Sequence, residues 1–465
     1  MSGNVLDQAS VDALRAGFGG RVVTPAESDY EDVRAIFNSM VTARPRVIAQ
    51  VATAGDIPIA LDFARLHGLD VAVRSGGHSV AGAGLTDGGL VIDMRRLNEV
   101  TVDREARTAR VGGGAVWGDL DNATQPYGLA TTGGRVSSTG VAGLTLGGGS
   151  GWIERKFGLA CDNLLSVDLV TADGRRLTAN EQENRELFWA LHGGGGNFGV
   201  VTAFTFRLHE LPEFSVAVLV WPPDRDRSVA AVFRSVFTDA PDEAGGTFGH
   251  VTGPPEDFVP ADLQGGLCAV AIVTWCGPEE DLRDFIAPLL AAGPTGQLVT
   301  DIPYAQLQSM LDVPPGNRNY YSVEQLKDLP DEALDRICAR SADMPVPTMS
   351  QQLLIPLGGA VARGAQWPGF NRDDAWMVHP LGVWPDPADD ERAKAWARSL
   401  QADVRPWATG DVYLNFIGDE GEERVVAGFG LDNYRRLARL KADLDPENVF
   451  NRWHNVRPAR AGSGV

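Results

Sequence analysis

Glycine recurs through one long stretch of this chain, from Gly112 to Gly151. The glycines of this stretch are Gly112-Gly113-Gly114, Gly118, Gly128, Gly133-Gly134, Gly140, Gly143, Gly147-Gly148-Gly149 and Gly151. Because glycine lacks a side chain, it adopts positive φ readily and lets the backbone approach a ligand closely. We therefore expect this stretch to wrap around a bound molecule instead of filling a hydrophobic core.

The chain before this stretch alternates strands and helices. Residues 47–51 form a predicted strand, and the helix that begins near Asp56 ends at Gly68. A second strand over 71–73 leads directly into the loop 74–79, and a third covers Leu90–Asp93. Ligands of α/β sheets tend to bind at the carboxyl ends of strands, which makes this loop a candidate binding site.

The loop 74–79 reads Arg-Ser-Gly-Gly-His-Ser. Its consecutive amides could form a nest for an anion, with Arg74 supplying positive charge. The alternative is a plain Gly-Gly turn that carries a surface histidine. The loop is neither a Walker loop nor a dinucleotide-binding fingerprint, because it lacks both the Gly-Lys-Ser/Thr ending and the GxGxxG spacing.

His78 follows two glycines, so it is a poor candidate for a core-packing side chain. It could serve as a general base, a metal ligand or a covalent anchor. No second ligand stands at metal-binding spacing, which argues against a metal site.

The net charge, the hydropathy pattern and the cysteines exclude several classes of protein. The 465 residues carry a net charge of −20 and show no Lys/Arg cluster, so we expect no nucleic-acid partner. There is no run of 18 apolar residues and no secretory signal pattern, so we expect a cytoplasmic protein without a membrane span. The four cysteines show no CxxC pair, which argues against a disulfide framework.

The order of predicted strands and helices changes near Leu211-Pro212. Residues 213–400 predict strands such as Leu267–Trp275 alternating with helices such as Asp331–Arg340, which is typical of an antiparallel sheet with helices on one side. Beyond about 405, we expect a strand over 412–417 and an amphipathic helix over 433–444.

Several motifs together resemble the FAD-binding domain of the vanillyl-alcohol oxidase superfamily, and in particular its berberine-bridge-enzyme-like oxidases. The matching segments are 72–79, 88–93, 140–151, 158–163, 187–190, 193–202, 413–416, 433–437 and 445–450. They extend over nearly the whole chain, and their combination is specific although each is weak alone.

The resemblance implies a covalent bond between His78 and the flavin 8α carbon. Many relatives add a cysteinyl bond, but that position is Val136 here and Cys161 lies too far along, so we expect one covalent bond. Thr139 matches the position that gates oxygen in such oxidases. The cofactor-binding residues expected from the resemblance are Arg74, Ser75, Gly76, Gly77, His78, Ser79, Ser138, Thr139, Gly140, Gly143, Leu144, Gly147, Gly149, Asp162, Gly199, Val200, Tyr413, Asn415 and His454.

Catalysis is less well defined by the sequence. Tyr413 and Asn415 would face the same side of the expected strand, over the flavin, with Tyr413 either the base or a packed tyrosine. The position where relatives carry an acid reads Leu353, so a carboxylate base is absent. The expected substrate-site residues are Tyr304, Tyr321, Gln351, Leu353 and His379. Trp275, Trp376 and Trp384 suggest an aromatic pocket.

We therefore predict an α+β protein with a two-part FAD-binding domain of the PCMH type, 1–210 and 405–465, and a substrate domain over 211–404. The expected function is a FAD-dependent oxidase that removes hydride from an alcohol, phenolic or natural-product substrate, with O2 as acceptor. The alternatives are a flavin dehydrogenase with another electron acceptor and a non-catalytic flavin-binding protein.

Overall fold

We describe a computed structural model of the protein, which covers residues 6–310, 312–365 and 367–460. Its first sheet has four strands in the order β1-β2-β4-β3, with β2, β4 and β3 parallel. The elements of this region are α1 (Gln8–Gly17), β1 (Arg21–Val23), α2 (Tyr30–Arg34), β2 (Val47–Gln50), α3 (Asp56–His67), β3 (Val71–Arg74) and β4 (Leu90–Asp93). All of β4 is buried, as expected for a central parallel strand.

A second sheet has five antiparallel strands in the order β5-β6-β10-β8-β9. The elements of this region are β5 (Val100–Asp103), β6 (Thr108–Gly112), α4 (Trp117–Thr124), β7 (Leu129–Ala130), α5 (Val141–Leu146), α6 (Glu154–Phe157), β8 (Leu164–Val170), β9 (Arg176–Asn180), α7 (Arg185–Ala190), β10 (Val200–Arg207) and β11 (His209–Glu210). Much of the glycine-rich stretch lies between β6 and β8, as connections around α4, α5 and α6.

The third sheet is larger and antiparallel, in the order β15-β12-β14-β13-β18-β19-β16, with β17 paired to β19. The elements of this region are β12 (Ser215–Trp221), α8 (Ser228–Thr238), β13 (Ala244–Thr252), β14 (Leu267–Trp275), α9 (Glu279–Phe285), α10 (Ala287–Ala291), β15 (Gly296–Asp301), α11 (Tyr304–Met310), β16 (Arg318–Tyr321), β17 (Glu324–Leu326), α12 (Asp331–Arg340), β18 (Gln351–Pro356), α13 (Ala360–Arg363), β19 (Trp376–Trp384) and α14 (Asp390–Val404).

Alternation along the strands gives this third sheet two different faces. On β12, Ala217, Leu219 and Trp221 join a core with Phe233 of α8 and Leu334 of α12. The intervening residues of β12 point to the opposite face, because successive side chains of a strand alternate. Helices therefore cover one face of the sheet, which confirms the α+β class predicted from the sequence.

The carboxyl-terminal part contains α15 (Glu422–Phe429) and α16 (Leu431–Leu444). The strand predicted over 412–417 is wrong: Leu414–Phe416 forms a 3₁₀ turn, and no strand partner pairs with it among the described residues. Short apolar runs are ambiguous between strand and turn, and the contacts of this one with the glycine-rich stretch decide the outcome.

A fully buried ion pair anchors α16. The ammonium of Lys441 donates to the Asp445 carboxylate at 2.7 Å, and to the carbonyls of Asn197 (2.6 Å) and Phe450 (2.7 Å). Burial lowers the pKa of Lys441, and Asp445 opposes this shift. The pair thus joins α16 to the turn before β10 and to the segment that follows the helix.

No helix within the described ranges has the length and apolarity that a membrane crossing needs.

We predict that Asp445→Ala lowers the free energy of unfolding by about 3–5 kcal/mol, because it leaves the Lys441 charge buried without its partner. Urea denaturation would measure the change. Glu186→Ala, which breaks an exposed pair with Arg436, is the matched control and should lower it by about 0–1 kcal/mol. Equal losses in the two variants would contradict the anchoring role of the buried pair.

Candidate active site

The loop 74–79 leaves the end of β3 and lies against the glycine-rich stretch. Gly77 has a φ of 75°, which favours glycine. A Cβ on Gly76 would lie 2.4 Å from the amide nitrogen of Gly140, so the two backbones touch. Gly76 is therefore needed for the close approach of the two segments, and Gly77 for the turn of the loop.

Arg74 does not extend toward the ligand side as the sequence suggested. Its guanidinium donates to the carbonyls of Val33 and Ala35, below the loop. Burial lowers its pKa to about 10. Arg74 therefore anchors the segment before the loop, although part of its side chain still borders the cavity described below.

The His78 ring is held on two sides. It stacks on Phe37 with the ring centroids 4.3 Å apart and an interplanar angle of 18°. Its Nε2 lies 3.1 Å from the hydroxyl of Ser138. Burial lowers the pKa of His78 to about 4, with Asp312 opposing the shift, so the ring is neutral at physiological pH.

One cavity of about 750 Å³ runs from this loop to the third sheet. The predicted cofactor-binding residues that line it are Arg74, Ser75, Gly76, Gly77, His78, Ser79, Thr139, Gly140, Gly143, Leu144, Gly199, Asn415 and His454. A Cβ on Gly143 or Gly196 would meet nothing within 4 Å and would project into open space. We call this part of the cavity wall, formed by the residues just named, the glycine-lined bed. A surface of this extent fits an elongated cofactor such as FAD, with backbone amides available to its phosphates.

Tyr413 stands behind this bed and does not line the cavity. Its hydroxyl accepts hydrogen bonds from the amides of Gly149 (3.0 Å) and Ser150 (2.9 Å) and from Asn415 Nδ2 (3.0 Å). Burial raises its pKa to about 12. These contacts favour the packed-tyrosine alternative over the role of catalytic base.

Asn415 and His454 do border the cavity. Asn415 Nδ2 also donates to the carbonyl of Leu144 at 2.9 Å, and His454 Nε2 donates to the carbonyl of Leu414 at 2.8 Å. Asn415 therefore fixes the carboxyl-terminal segment against the glycine-rich stretch, whereas His454 ties two parts of that segment to each other.

Several expected site residues lie away from the cavity. Asp162 instead forms an ion pair with Arg372, at 2.6 Å, and accepts from Trp367 Nε1 at 2.9 Å. Tyr304 is buried in α11 against Gln308. Val200, Gly147 and Gly149 are buried within the framework of the bed, and Ser138 is half-buried against the His78 ring without lining the cavity.

Four expected substrate residues line the cavity on the side of the third sheet: Tyr321, Gln351, Leu353 and His379. His379 stacks flat on Phe416, with ring centroids 4.1 Å apart at 4°. Its Nδ1 donates to the carbonyl of Ser322 at 2.7 Å, which fixes the tautomer with the lone pair on Nε2. Burial lowers the pKa of His379 to about 3, so this nitrogen is unprotonated.

The tryptophans expected in the pocket do not line it. Trp376 belongs to the helix-covered core of the third sheet, and Trp384 is buried with its Nε1 donating to Asp390. The inner face of β12 and β14 presents aliphatic residues instead, such as Val216, Val218 and Ile272, and the tryptophans that do line the cavity are Trp152 and Trp453. The alternation of β12 could have indicated this, because each strand residue that avoids the helices must face the other side.

Arg135 is a cavity residue that the sequence analysis missed. It donates to Ser150 Oγ at 3.0 Å and to the buried Glu154 at 3.3 Å. No periodicity or motif marks it, because its position depends on the fold of the glycine-rich turn around it.

All four cysteines have free thiols and are buried, and Val136, the position at which the resemblance implied a cysteine in many relatives, lines the cavity. Within the described ranges, no group of three or more His, Cys, Asp or Glu side chains could hold a metal ion.

Comparisons with known proteins agree with this geometry. Residues 45–180 match a family model described as a FAD binding domain, and residues 412–457 match one described as berberine and berberine like. The chain is 31% identical to the FAD-linked oxidoreductase pgmH of Aspergillus terreus, over 98% of both chains. It is also 31% identical to (R)-6-hydroxynicotine oxidase of Paenarthrobacter nicotinovorans, over 94% of this chain and 97% of that one.

Solved structures share the fold. The crystal structure of 6-hydroxy-D-nicotine oxidase from Arthrobacter nicotinovorans matches with a TM-score of 0.83 and 28% identity, over 95% of this chain and 98% of that one. Berberine bridge enzyme from Eschscholzia californica matches with a TM-score of 0.84 and 21% identity, over 97% and 99%.

The fold and the glycine-lined bed thus define a FAD-linked oxidoreductase. The chain belongs to the berberine-bridge-enzyme-like family of these enzymes, as the resemblance of its motifs indicated.

We predict that Tyr413→Phe lowers the free energy of unfolding by about 1–3 kcal/mol, because two buried amides lose their acceptor. Urea denaturation would measure the loss, with Tyr127→Phe as the control at a half-exposed tyrosine. Unchanged stability together with abolished flavin reduction would instead support a catalytic Tyr413.

Proposed function

We propose that the protein is an oxidase that holds FAD through a covalent bond to His78 and oxidises an extended, apolar alcohol or phenol. O2 is the proposed acceptor of the electrons. The observation that carries this proposal is the continuity of the cavity, which joins the His78 loop to one face of the third sheet.

The geometry of His78 supports a covalent anchor. The ring borders the cavity, is held by Phe37 and Ser138, and is neutral because burial lowers its pKa to about 4. A neutral imidazole retains a lone pair, which a carbon–nitrogen bond requires. A surface histidine on a plain turn, the alternative reading of the loop, would be solvated instead.

The third sheet supports an apolar substrate. The strand register aligns five paired residues in a row across the sheet, which we call the file. They are Val220 of β12, Val270 of β14, Gly249 of β13, Leu353 of β18 and His379 of β19. All but Gly249 line the cavity. Four steps between strands span about 19 Å. An aliphatic surface of that length favours an apolar molecule over a sugar, whose hydroxyls it would leave without hydrogen-bond partners.

His379 is the proposed base, at the end of this file. Its Nε2 carries the lone pair, and no protein group of the described ranges meets that nitrogen, whereas the Tyr413 hydroxyl is saturated. The stacked Phe416 and the Ser322 carbonyl fix the ring, so Nε2 can accept a hydrogen bond from the hydroxyl of a substrate that lies on Leu353. Because the pKa of His379 is about 3, the proton moves to Nε2 as the hydride leaves and not before it.

FAD, when bound, accepts the hydride from the substrate carbon and passes the electrons on. The aliphatic walls exclude water from the bound substrate, and Thr139 on the cavity wall stands where relatives gate oxygen.

We predict that His78→Ala abolishes covalent flavin. A denaturing gel of the purified chain should show a fluorescent band for the wild type and none for the variant, because only a covalent bond survives denaturation. His67→Ala, on α3 and away from the cavity, is the control and should retain the band. A band that persists in His78→Ala would refute the proposed anchor.

We predict that His379→Asn slows anaerobic flavin reduction by about 100-fold or more, the usual contribution of a general base. Stopped-flow absorbance with a panel of benzylic alcohols and phenols would measure it. Tyr321→Phe, which removes a neighbouring hydroxyl, is the matched control and should stay within a few fold. Similar rates of flavin reduction in His379→Asn and the wild type would exclude His379 as the base.

The electron acceptor is tested separately, by mixing the reduced wild type with O2. Slow reoxidation would favour a dehydrogenase.

A further inference from the structure

The contact between Ser138 and His78 joins two segments that are 60 residues apart in sequence. Ser138 precedes α5 in the glycine-rich stretch, and its hydroxyl lies 3.1 Å from His78 Nε2. The Ser138 side chain does not border the cavity, whereas the imidazole does. The Ser138 hydroxyl therefore contacts the imidazole on the side that faces away from the cavity.

The other ring nitrogen of His78, Nδ1, makes no hydrogen bond with a protein group in the part of the chain that is described. Phe37 stacks on one ring face and keeps the ring in its plane, and a half-turn of the ring within that plane would replace Nε2 with a carbon and lose the Ser138 contact. Nδ1 is thus the nitrogen available to a molecule in the cavity.

We infer that Ser138 is a positioning residue for covalent attachment of the flavin, acting through His78. This inference rests on the proposed His78 anchor. By accepting a hydrogen bond from Nε2–H, the Ser138 hydroxyl holds the imidazole in the tautomer whose lone pair is on Nδ1.

Formation of the covalent bond is a two-electron oxidation, and O2 is the oxidant. The bond formed is Nδ1–C8α, and the bonds broken are one C8α–H bond of the flavin methyl group and the Nε2–H bond. The two electrons and two protons released pass to the isoalloxazine ring, and from it to O2 to give hydrogen peroxide.

A hydroxyl can form a hydrogen bond with His78 Nε2 both before and after the covalent bond forms. Before the bond forms, the Ser138 oxygen accepts from Nε2–H and stabilises the positive charge that develops on the ring. Afterwards Nε2 has a lone pair, and the same hydroxyl can rotate to donate to it. Burial makes this contact important, because a charged imidazole is disfavoured at this position.

The neighbouring serine provides a matched control. Ser137 donates its hydroxyl to the Asp312 carboxylate and makes no contact with His78. Ser137→Ala therefore removes a hydroxyl from the same turn without touching the imidazole, and the Ser137 amide still holds Asp312, the carboxylate that acts on His78.

The experiment compares covalent attachment in the wild type, Ser138→Ala, Ser138→Thr and Ser137→Ala. Each purified full-length chain is incubated with excess FAD in air, samples are precipitated with acid at intervals, and the flavin in the pellet is measured. Total bound flavin is measured in parallel after gel filtration without denaturation. Ser138→Ala should attach flavin about 10- to 100-fold more slowly, since it loses a hydrogen bond to a developing charge. Its total bound flavin should equal that of the wild type.

Ser138→Thr, which keeps the hydroxyl, should restore attachment to near the wild-type rate, and Ser137→Ala should match the wild type. Equal rates in Ser138→Ala and the wild type would overturn the role of Ser138 while leaving the His78 anchor intact. Loss of total bound flavin in Ser138→Ala would also overturn it, by showing a defect of binding. Absence of acid-stable flavin from the wild type would instead refute the His78 anchor itself.

Discussion

The buried ammonium of Lys441 is the interaction on which the cofactor bed depends most. It binds the carbonyls of Asn197 and Phe450 together with the Asp445 carboxylate, so it joins the turn before β10, helix α16 and the segment after it. Gly196, Gly199 and Phe450 line one end of the cavity, next to these contacts. At the other end, Tyr413 and Asn415 hold the carboxyl-terminal segment against Gly149, Ser150 and Leu144. The bed is therefore a surface shared by distant parts of one chain, and no single segment could form it alone.

Much of this arrangement could be predicted from the sequence, because local rules determine it. Glycine density identified the ligand-wrapping stretch, and the strand before 74–79 placed the loop at a carboxyl end. Leu90–Asp93, Leu267–Trp275 and Asp331–Arg340 have the predicted bounds. The family resemblance, which is confirmed, depended on the combination of such motifs and added the FAD-linked function.

The parts that could not be predicted depend on tertiary contacts. Arg74 and Asp162 are charged residues beside glycine-rich loops, and sequence alone cannot tell a ligand contact from a carbonyl or an arginine partner. The same holds for Tyr413, whose hydroxyl meets two amides some 260 positions earlier in the chain. The aliphatic file across the third sheet required the register of four strand pairs, and strand register is fixed by the packing of the whole sheet.

The split of the cavity lining between the two ends of the chain has a consequence for biosynthesis. His78 is synthesised well before Asn415 and His454, and all three border the same cavity. A nascent chain can form the first sheet during synthesis, yet it cannot complete the bed until the segment that carries Asn415 and His454 has been made and has folded back. The bed can therefore hold the whole cofactor only after this segment has packed against the glycine-rich stretch.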